Sequence, residues 1–335
     1  MDKIKFPKIN YIGNKEKLTK WICDKIPEDC CSIFDAFSGG VSVSFEAKKR
    51  GLKVTSNDII KINYLLAHSL IENKSSKINK KDIEIIFTGK PTKGYMYKNF
   101  SNKFFFPQEC MELDLYKENI INNLKGFKKS LAFTLLRRAM IRKMPYSRFN
   151  ILWSKVKQLR DEEYSYDKYK RKRAYHNYSI KHHFLENIEE YNNAVFDNGQ
   201  KNKAFNNDIF EVVDKIKSDI IYLDPPYCGT MNDYFGFYNL LDEYYLSKKL
   251  KPFKNNFTKR ETILNQFKNL FSKLKNYKYW LISYNNKSYP NKDQLYNLLK
   301  EFSNRVEVFE KPHLYKITGK VKKNINTEIL FLVEI

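Results

Sequence analysis

The stretch Ser218-Asp219-Ile220-Ile221-Tyr222-Leu223-Asp224-Pro225-Pro226-Tyr227 decides how the rest of the chain is read. Four apolar, β-favouring residues run from Ile220 to Leu223 and stop abruptly at Asp-Pro-Pro-Tyr. A short apolar run bounded by turn residues reads as a strand buried on both faces of a mostly parallel sheet. The two prolines lack the N–H groups that would continue a ladder, so the chain leaves the sheet as a stiff turn. That turn presents a carboxylate, a carbonyl between prolines and an aromatic ring at the carboxyl end of a strand. Ligands of open α/β sheets bind there. An ordinary Asp-Pro turn with a surface tyrosine would look the same in isolation, so the neighbouring segments have to decide.

Upstream, Ser32-Ile33-Phe34-Asp35-Ala36-Phe37 reads as a strand, Ser38-Gly39-Gly40 as a tight turn and residues 41–50 as a helix. Strand, glycine turn and helix together form an entrance for a nucleotide-like ligand, because the backbone can approach it and helix N–H groups point at it. Gly51 ends the helix, and a second strand over 52–56 stops at Asn57-Asp58. An acidic residue roughly 20 positions past the glycine turn is placed to bind a ribose. Asp58 taken alone could equally cap the helix expected over 59–70. Before all of these, Ile9-Asn10-Tyr11-Ile12-Gly13-Asn14-Lys15 opens with a turn and enters a helix, with Leu18, Trp21, Ile22 and Ile26 at helical spacing.

The alternation of strand and helix is lost from about 61 to 198. This region is rich in Lys, Arg, Tyr, Phe and Asn. It contains a helical stretch over 130–142 with Arg137, Arg138 and Arg142, then the turn Pro145-Tyr146-Ser147-Arg148-Phe149-Asn150, then the basic run Lys168-Tyr169-Lys170-Arg171-Lys172-Arg173. Basic residues interleaved with aromatics suit contact with phosphates and bases. An exposed helix with lysine for solubility and tyrosine for packing is the competing reading. The alternation returns at 203–210, a short strand ending near Asp208, Ile209 and Phe210. It continues through strands at 279–285 and 306–309 and ends in a strand over 327–335. Lys320, Lys322 and Lys323 make a basic turn before that last strand. The pattern describes an α/β fold: a Rossmann-like, doubly wound, mostly parallel sheet with one long insertion. The expected division is 1–61 with 199–335 for the sheet domain and 62–198 for the insertion.

Composition narrows the partners. The 335 residues carry 61 Lys and Arg against 38 Asp and Glu, a net charge of +23, which points to a polyanion such as nucleic acid. The abundance of Lys, Asn, Ile, Tyr and Phe also matches the codon bias of an AT-rich genome. No apolar run reaches the roughly 18 residues of a membrane span, and the N-terminus lacks the apolar core of a signal peptide. Five cysteines without metal spacing read as reduced thiols, so a cytoplasmic protein with no metal centre is expected.

The strand-end acids Asp35, Asp58, Asp208 and Asp224 and the motifs beside them resemble the Dam-like, S-adenosyl-L-methionine-dependent DNA adenine-N6 methyltransferases. The resemblance covers most of the chain. Tyr11-Ile12-Gly13-Asn14-Lys15 looks like the family's N-terminal cofactor motif, and Phe34-Asp35-Ala36-Phe37-Ser38-Gly39-Gly40 like its glycine-rich motif. Asp208 with Ile209 and Phe210 looks like the segment that holds the cofactor's adenine. Asp224-Pro225-Pro226-Tyr227 matches the catalytic motif in full, while Leu281-Ile282-Ser283-Tyr284-Asn285 and Asn326-Thr327-Glu328-Ile329-Leu330 are similar to later motifs. One departure is that Val41 occupies the place of the second glycine in the usual Phe-x-Gly-x-Gly.

The resemblance implies a class I methyltransferase fold whose insertion is the target-recognition domain. It implies Asp224, Pro225, Pro226 and Tyr227 as catalytic residues. Cofactor contacts would come from Tyr11, Gly13, Lys15, Asp35, Phe37, Ser38, Gly39, Gly40, Asp58, Asp208, Ile209, Phe210 and Asp224. Double-stranded DNA would meet Arg137, Arg138, Arg142, Arg148, Lys168, Lys170, Arg171, Lys172, Arg173, Lys320, Lys322 and Lys323. The enzyme would act as a single copy of the chain, either beside a cognate restriction endonuclease or as a solitary methylase. The alternatives are an RNA base methyltransferase sharing Asp-Pro-Pro-Tyr, a protein-glutamine methylase, a silent DNA-binding protein of the same fold, and a metal nuclease. The large insertion disfavours the first. Asp224 in place of Asn disfavours the second, intact Asp224 and Tyr227 the third, and the glycine turn the last.

Overall fold

The computed structural model describes residues 4–170, 178–228, 234–251, 256–313 and 326–335. The chain divides into two units. Residues 15–59, 198–233 and 253–335 hold the sheet, and residues 1–14, 60–197 and 234–252 form a second unit built from helices.

In the sheet unit the strands are β1 (Ser32–Asp35), β2 (Lys53–Asn57), β3 (Lys203–Phe205), β4 (Ile220–Leu223), β5 (Tyr279–Asn285), β6 (Arg305–His313) and β7 (Asn326–Glu334). Their order is β3-β2-β1-β4-β5-β7-β6. The first five are mutually parallel, while β7 runs antiparallel to both β5 and β6. This mixed α/β arrangement is the one the resemblance to class I methyltransferases implies. The apolar run Ile220–Leu223 becomes β4, a central strand with every residue buried. Ile220, Ile221 and Leu223 have no exposed surface, and burying each stabilises the fold by about 1.5–3 kcal/mol. β2 and β3 lie on one side of β1 and β4 and β5 on the other, so the order of strand addition reverses between β1 and β4. The crevice at that reversal is where such sheets take ligands.

The helical unit is organised on the Gly126–Arg142 helix. Leu131, Ala132, Leu135, Leu136, Ala139, Met140 and Ile141 are all fully buried, so this helix is covered on every face rather than amphipathic. The unit extends beyond the expected insertion of 62–198. Residues 1–14 and 234–252 pack with it because Ile9, Phe237, Tyr238 and Leu241 bury their side chains. Backbone and side chain both tie them in. The Ile12 N–H donates to the Tyr238 hydroxyl at 2.8 Å, and the Tyr244 hydroxyl donates to the Leu113 carbonyl at 2.5 Å. Asp242 accepts from the Lys61 and Ile62 N–H groups, both at 2.8 Å, and so caps the Lys61–Ala67 helix.

Candidate active site

The glycine turn leaves β1 under tight backbone control. The Ala36 N–H donates to the Tyr222 carbonyl at 3.0 Å, the Ser38 N–H to the Asn57 carbonyl at 2.9 Å, and the Val41 N–H back to the Ser38 carbonyl at 2.6 Å. Gly39 has φ of 47° and Val41 φ of 55°, both left-handed. A β-branched residue in that region carries roughly 1–3 kcal/mol of strain. The second glycine of the usual motif would relieve it here, so the departure at Val41 has a visible conformational cost. Val41 is fully buried, and its packing offsets part of that cost.

Two acids face this turn. Asp58 accepts the Gly39 N–H at 2.8 Å, while Asp242 accepts the first N–H groups of the following helix. Asp35 is 1% exposed and accepts the Ser44 hydroxyl at 2.6 Å through Oδ2. Among the described residues its buried Oδ1 has no hydrogen-bond partner, and neither has the nearby Ser38 hydroxyl. Burial pushes the Asp35 carboxyl up to about 7, helped by the charges of Asp224 and Asp58, while the Ser44 hydrogen bond works against it. The Asn57 side chain braces the β1 and β3 exits. Its Nδ2 donates to the Ala36 and Asn207 carbonyls at 3.3 and 3.1 Å. Asp208 is exposed and caps the short Ile209–Val212 helix through the Phe210 N–H at 2.9 Å. Ile209 is buried below it. Phe37 and Phe210 both meet Phe257, at ring-centroid distances of 5.6 and 6.4 Å.

Across the sheet reversal, Asp224 follows β4 directly. The Tyr227 hydroxyl donates to Asp224 Oδ1 at 2.6 Å and accepts from Lys15 Nζ at 2.8 Å. The same Nζ lies 3.2 Å from Asp224 Oδ1 and 2.9 Å from Glu328 Oε1 on β7. Ser283 on β5 donates to Glu328 at 3.0 Å. Pro225 is buried and Pro226 half-buried, which fixes the turn, and the Tyr227 ring meets Tyr284 edge-on at 5.3 Å. Burial raises the Asp224 carboxyl above its ordinary range; Lys15 opposes this and Glu328 adds to it. A carboxylate so placed is a stronger proton acceptor than one in water.

The sheet unit therefore gathers Lys15, Asp35, Phe37, Ser38, Gly39, Gly40, Asp58, Asp208, Ile209, Phe210 and the 224–227 turn around the carboxyl ends of its parallel strands. Tyr11 and Gly13 belong to the helical unit. There Tyr11 stacks on Tyr238 at 4.8 Å and accepts from Asn63, and Gly13 has φ of 84°. Glu328, Ser283, Asn57 and Phe257 were not singled out as site residues from sequence. Two of them lie in segments matched to later motifs, but nothing in those segments states a partner.

The basic residues expected at DNA fare differently from one another. Arg137 and Arg138, expected among the DNA contacts, are 1% and 3% exposed, because their helix is covered all round. Arg137 donates to the Ile9 carbonyl at 3.2 Å beside the Tyr11 and Tyr238 rings, and Arg138 donates to Asn187 at 3.3 Å. Arg142 is half-buried and pairs with Glu186 at 3.4 Å. Arg148 is half-buried over Phe237, in a turn where Tyr146 and Ser147 both have left-handed backbones. Lys168 and Lys170 are exposed, with Lys168 donating to the Tyr164 hydroxyl at 2.9 Å. Arg171, Lys172, Arg173, Lys320, Lys322 and Lys323 lie outside the described residues. Among the described residues no helix is long and apolar enough to cross a membrane.

Comparison with known proteins matches this geometry. The sequence model of D12 class N6 adenine-specific DNA methyltransferases matches residues 11–298. The chain is 54% identical to Type II methyltransferase M2.HphI of Haemophilus parahaemolyticus, over 100% of this chain and 99% of that protein. It is 26% identical to modification methylase StsI of Streptococcus sanguinis and 22% identical to Type II methyltransferase M.FokI of Planomicrobium okeanokoites. It spans 52% of the length of each of these two. A parallel sheet with paired strand-end acids at its reversal, an Asp-Pro-Pro-Tyr turn beside them and a full-length relative of this kind lead to one conclusion: the chain belongs to the D12 class of N6 adenine-specific DNA methyltransferases.

Proposed function

We propose that the chain uses S-adenosyl-L-methionine to methylate an adenine flipped out of duplex DNA, with Asp224 holding the amine that is methylated. The observation that carries this reading is Asp224 itself: a carboxylate with raised proton affinity, aimed from the β4 exit and steadied by Tyr227 and Lys15. Adenine's exocyclic amine is a poor nucleophile because its lone pair is delocalised into the ring. Asp224 and the Pro225 carbonyl accept its two hydrogens and build electron density on nitrogen, a preorganised electrostatic effect worth on the order of 10²–10³ in rate. The amine proton passes to the Asp224 side as nitrogen takes on positive charge. The Tyr227 ring offers a face on which the extruded base stacks.

The cofactor's fit is supported by Asp35 Oδ1 and the Ser38 hydroxyl, buried acceptor and donor with no hydrogen-bond partner among the described residues. Both suit a polar, cationic ligand, with Asp58 toward a ribose and Phe210 toward an adenine. When bound, S-adenosyl-L-methionine supplies an electrophilic methyl group on its sulfonium. Sequence choice is assigned to the helical unit, with Arg148 as a base reader and Lys168 and Lys170 as phosphate contacts. A cognate restriction endonuclease in the same cytoplasm is the natural partner for a methylase of this kind, and the monomer is its working form. Asp224→Ala tests the central step. Labelled methyl transfer should vanish while the cofactor still binds, and turnover near the wild-type rate would exclude the role.

A further inference from the structure

Glu328 is a carboxylate on β7 with no exposed surface, and its basic neighbour is Lys15, itself 4% exposed. Lys15 Nζ sits between Glu328 Oε1 at 2.9 Å and Asp224 Oδ1 at 3.2 Å, while donating to the Tyr227 hydroxyl at 2.8 Å. Ser283 fixes Glu328 from β5 at 3.0 Å. One ammonium thus serves two carboxylates from different strands. Buried ion clusters of this kind are weak sources of stability compared with packed apolar groups, so their use lies in orientation and charge.

We propose that Lys15 and Glu328 are positioning residues for the methyl transfer: Glu328 tethers the Lys15 ammonium, and the tethered ammonium fixes the direction and charge of the Asp224 carboxylate. This rests on the reading of Asp224 given above. It assigns Lys15 to the catalytic acid rather than to the cofactor alone.

The groups that face Asp224 are Lys15 from the segment before the Thr19–Cys23 helix, Glu328 from β7, Tyr227 from its own turn, Asp35 from β1 and Tyr222 from β4. Neutralising Lys15 leaves the acids to repel one another and makes Asp224 harder to ionise. Neutralising Glu328 leaves the ammonium to Asp224 and makes it easier to ionise. Loss of either charge therefore moves the ionisation of the site in opposite senses.

The test is the single-turnover rate of labelled methyl transfer by the full chain, with saturating S-adenosyl-L-methionine and unmethylated genomic duplex DNA, from pH 5 to 9. In Lys15→Met the acid limb should move up by about one pH unit or more, and in Glu328→Gln it should move down. A purely structural role would lower the rate or the melting temperature and leave the limb in place. Shifts in one common direction, or no shift in either variant, overturn the proposal. If one variant is recovered unfolded, the other decides alone. If both are, Lys15→Arg keeps the charge at a different length: a tenfold or greater loss of plateau rate with an unmoved limb supports positioning, and a wild-type plateau overturns it. Asp224→Ala, run alongside, separates the two levels. Turnover there removes the reading of Asp224 itself, whereas unshifted limbs with a dead Asp224→Ala remove only the pair.

Discussion

Asp35 offers a sharp link between the buried electrostatics of the site and something measurable in solution. Its carboxyl is raised from the ordinary range to about 7, chiefly by burial, and its Oδ1 has no hydrogen-bond partner among the described residues. A raised folded value means that stability from this group is fully present below the unfolded value, near 4, and is lost as pH climbs through about 7. Complete ionisation in the ligand-free fold then costs about 4 kcal/mol, of which about 1–1.5 kcal/mol falls between pH 6 and 8. A cationic cofactor beside Asp35 favours the ionised form, so its affinity should rise about tenfold over the same interval, or ~1.4 kcal/mol. Calorimetric titration of S-adenosyl-L-methionine at pH 6, 7 and 8 measures this, with Asp35→Asn as the comparison. The cofactor's own amino group titrates near 8, and it does so in both proteins, so the difference between them isolates Asp35. Asp35→Asn should lose the tenfold rise and also flatten the pH dependence of ligand-free stability. The same pH dependence in both proteins, or wild-type affinity that falls with pH, would refute the reasoning.

Asp58→Ala should weaken cofactor binding by about 1.5–3 kcal/mol, the worth of hydrogen bonds to a charged group, and unchanged calorimetric affinity would remove Asp58 from the ribose. Arg137→Leu should change unfolding by denaturant yet leave the salt dependence of DNA binding as it is, because the guanidinium is buried beside Tyr11 and Tyr238; a flatter salt slope would mean that it meets phosphate after all. Arg148→Ala should relax the methylated motif at one base pair, by about 1–3 kcal/mol of discrimination, and leave cofactor affinity alone. Methylome sequencing that returns an unchanged motif would reduce Arg148 to a stabilising role in its turn.

Much of the sheet unit follows from local features. An apolar quartet ending in Asp-Pro-Pro-Tyr can be little else than a buried strand meeting a stiff turn, and β4 is that strand. Glycines after Phe37 mark the β1 exit, and the spacing to Asp58 places a second acid on the next strand. Each of these signals is carried by residues close together in the chain, where period and turn chemistry act directly. Tertiary structure alone decided the rest. Arg137 and Arg138 read as surface cations because a helix with basic residues is normally amphipathic. Arg137 is covered by Ile9, Tyr11 and Tyr238 and Arg138 lies against Asn187, partners far away in the chain that no local pattern states. That Asp58 accepts the Gly39 N–H, and that Asp242, a residue far along the chain, accepts the first N–H groups of the next helix, no short stretch states. Lys15, Asp224 and Glu328 meet because β4, β5 and β7 are neighbours in the sheet, and strand order is set by long-range pairing rather than by any short stretch. The chemistry of the site was therefore legible as residue types at strand ends, while its charges, and which of them share a proton or an ammonium, belong to the fold.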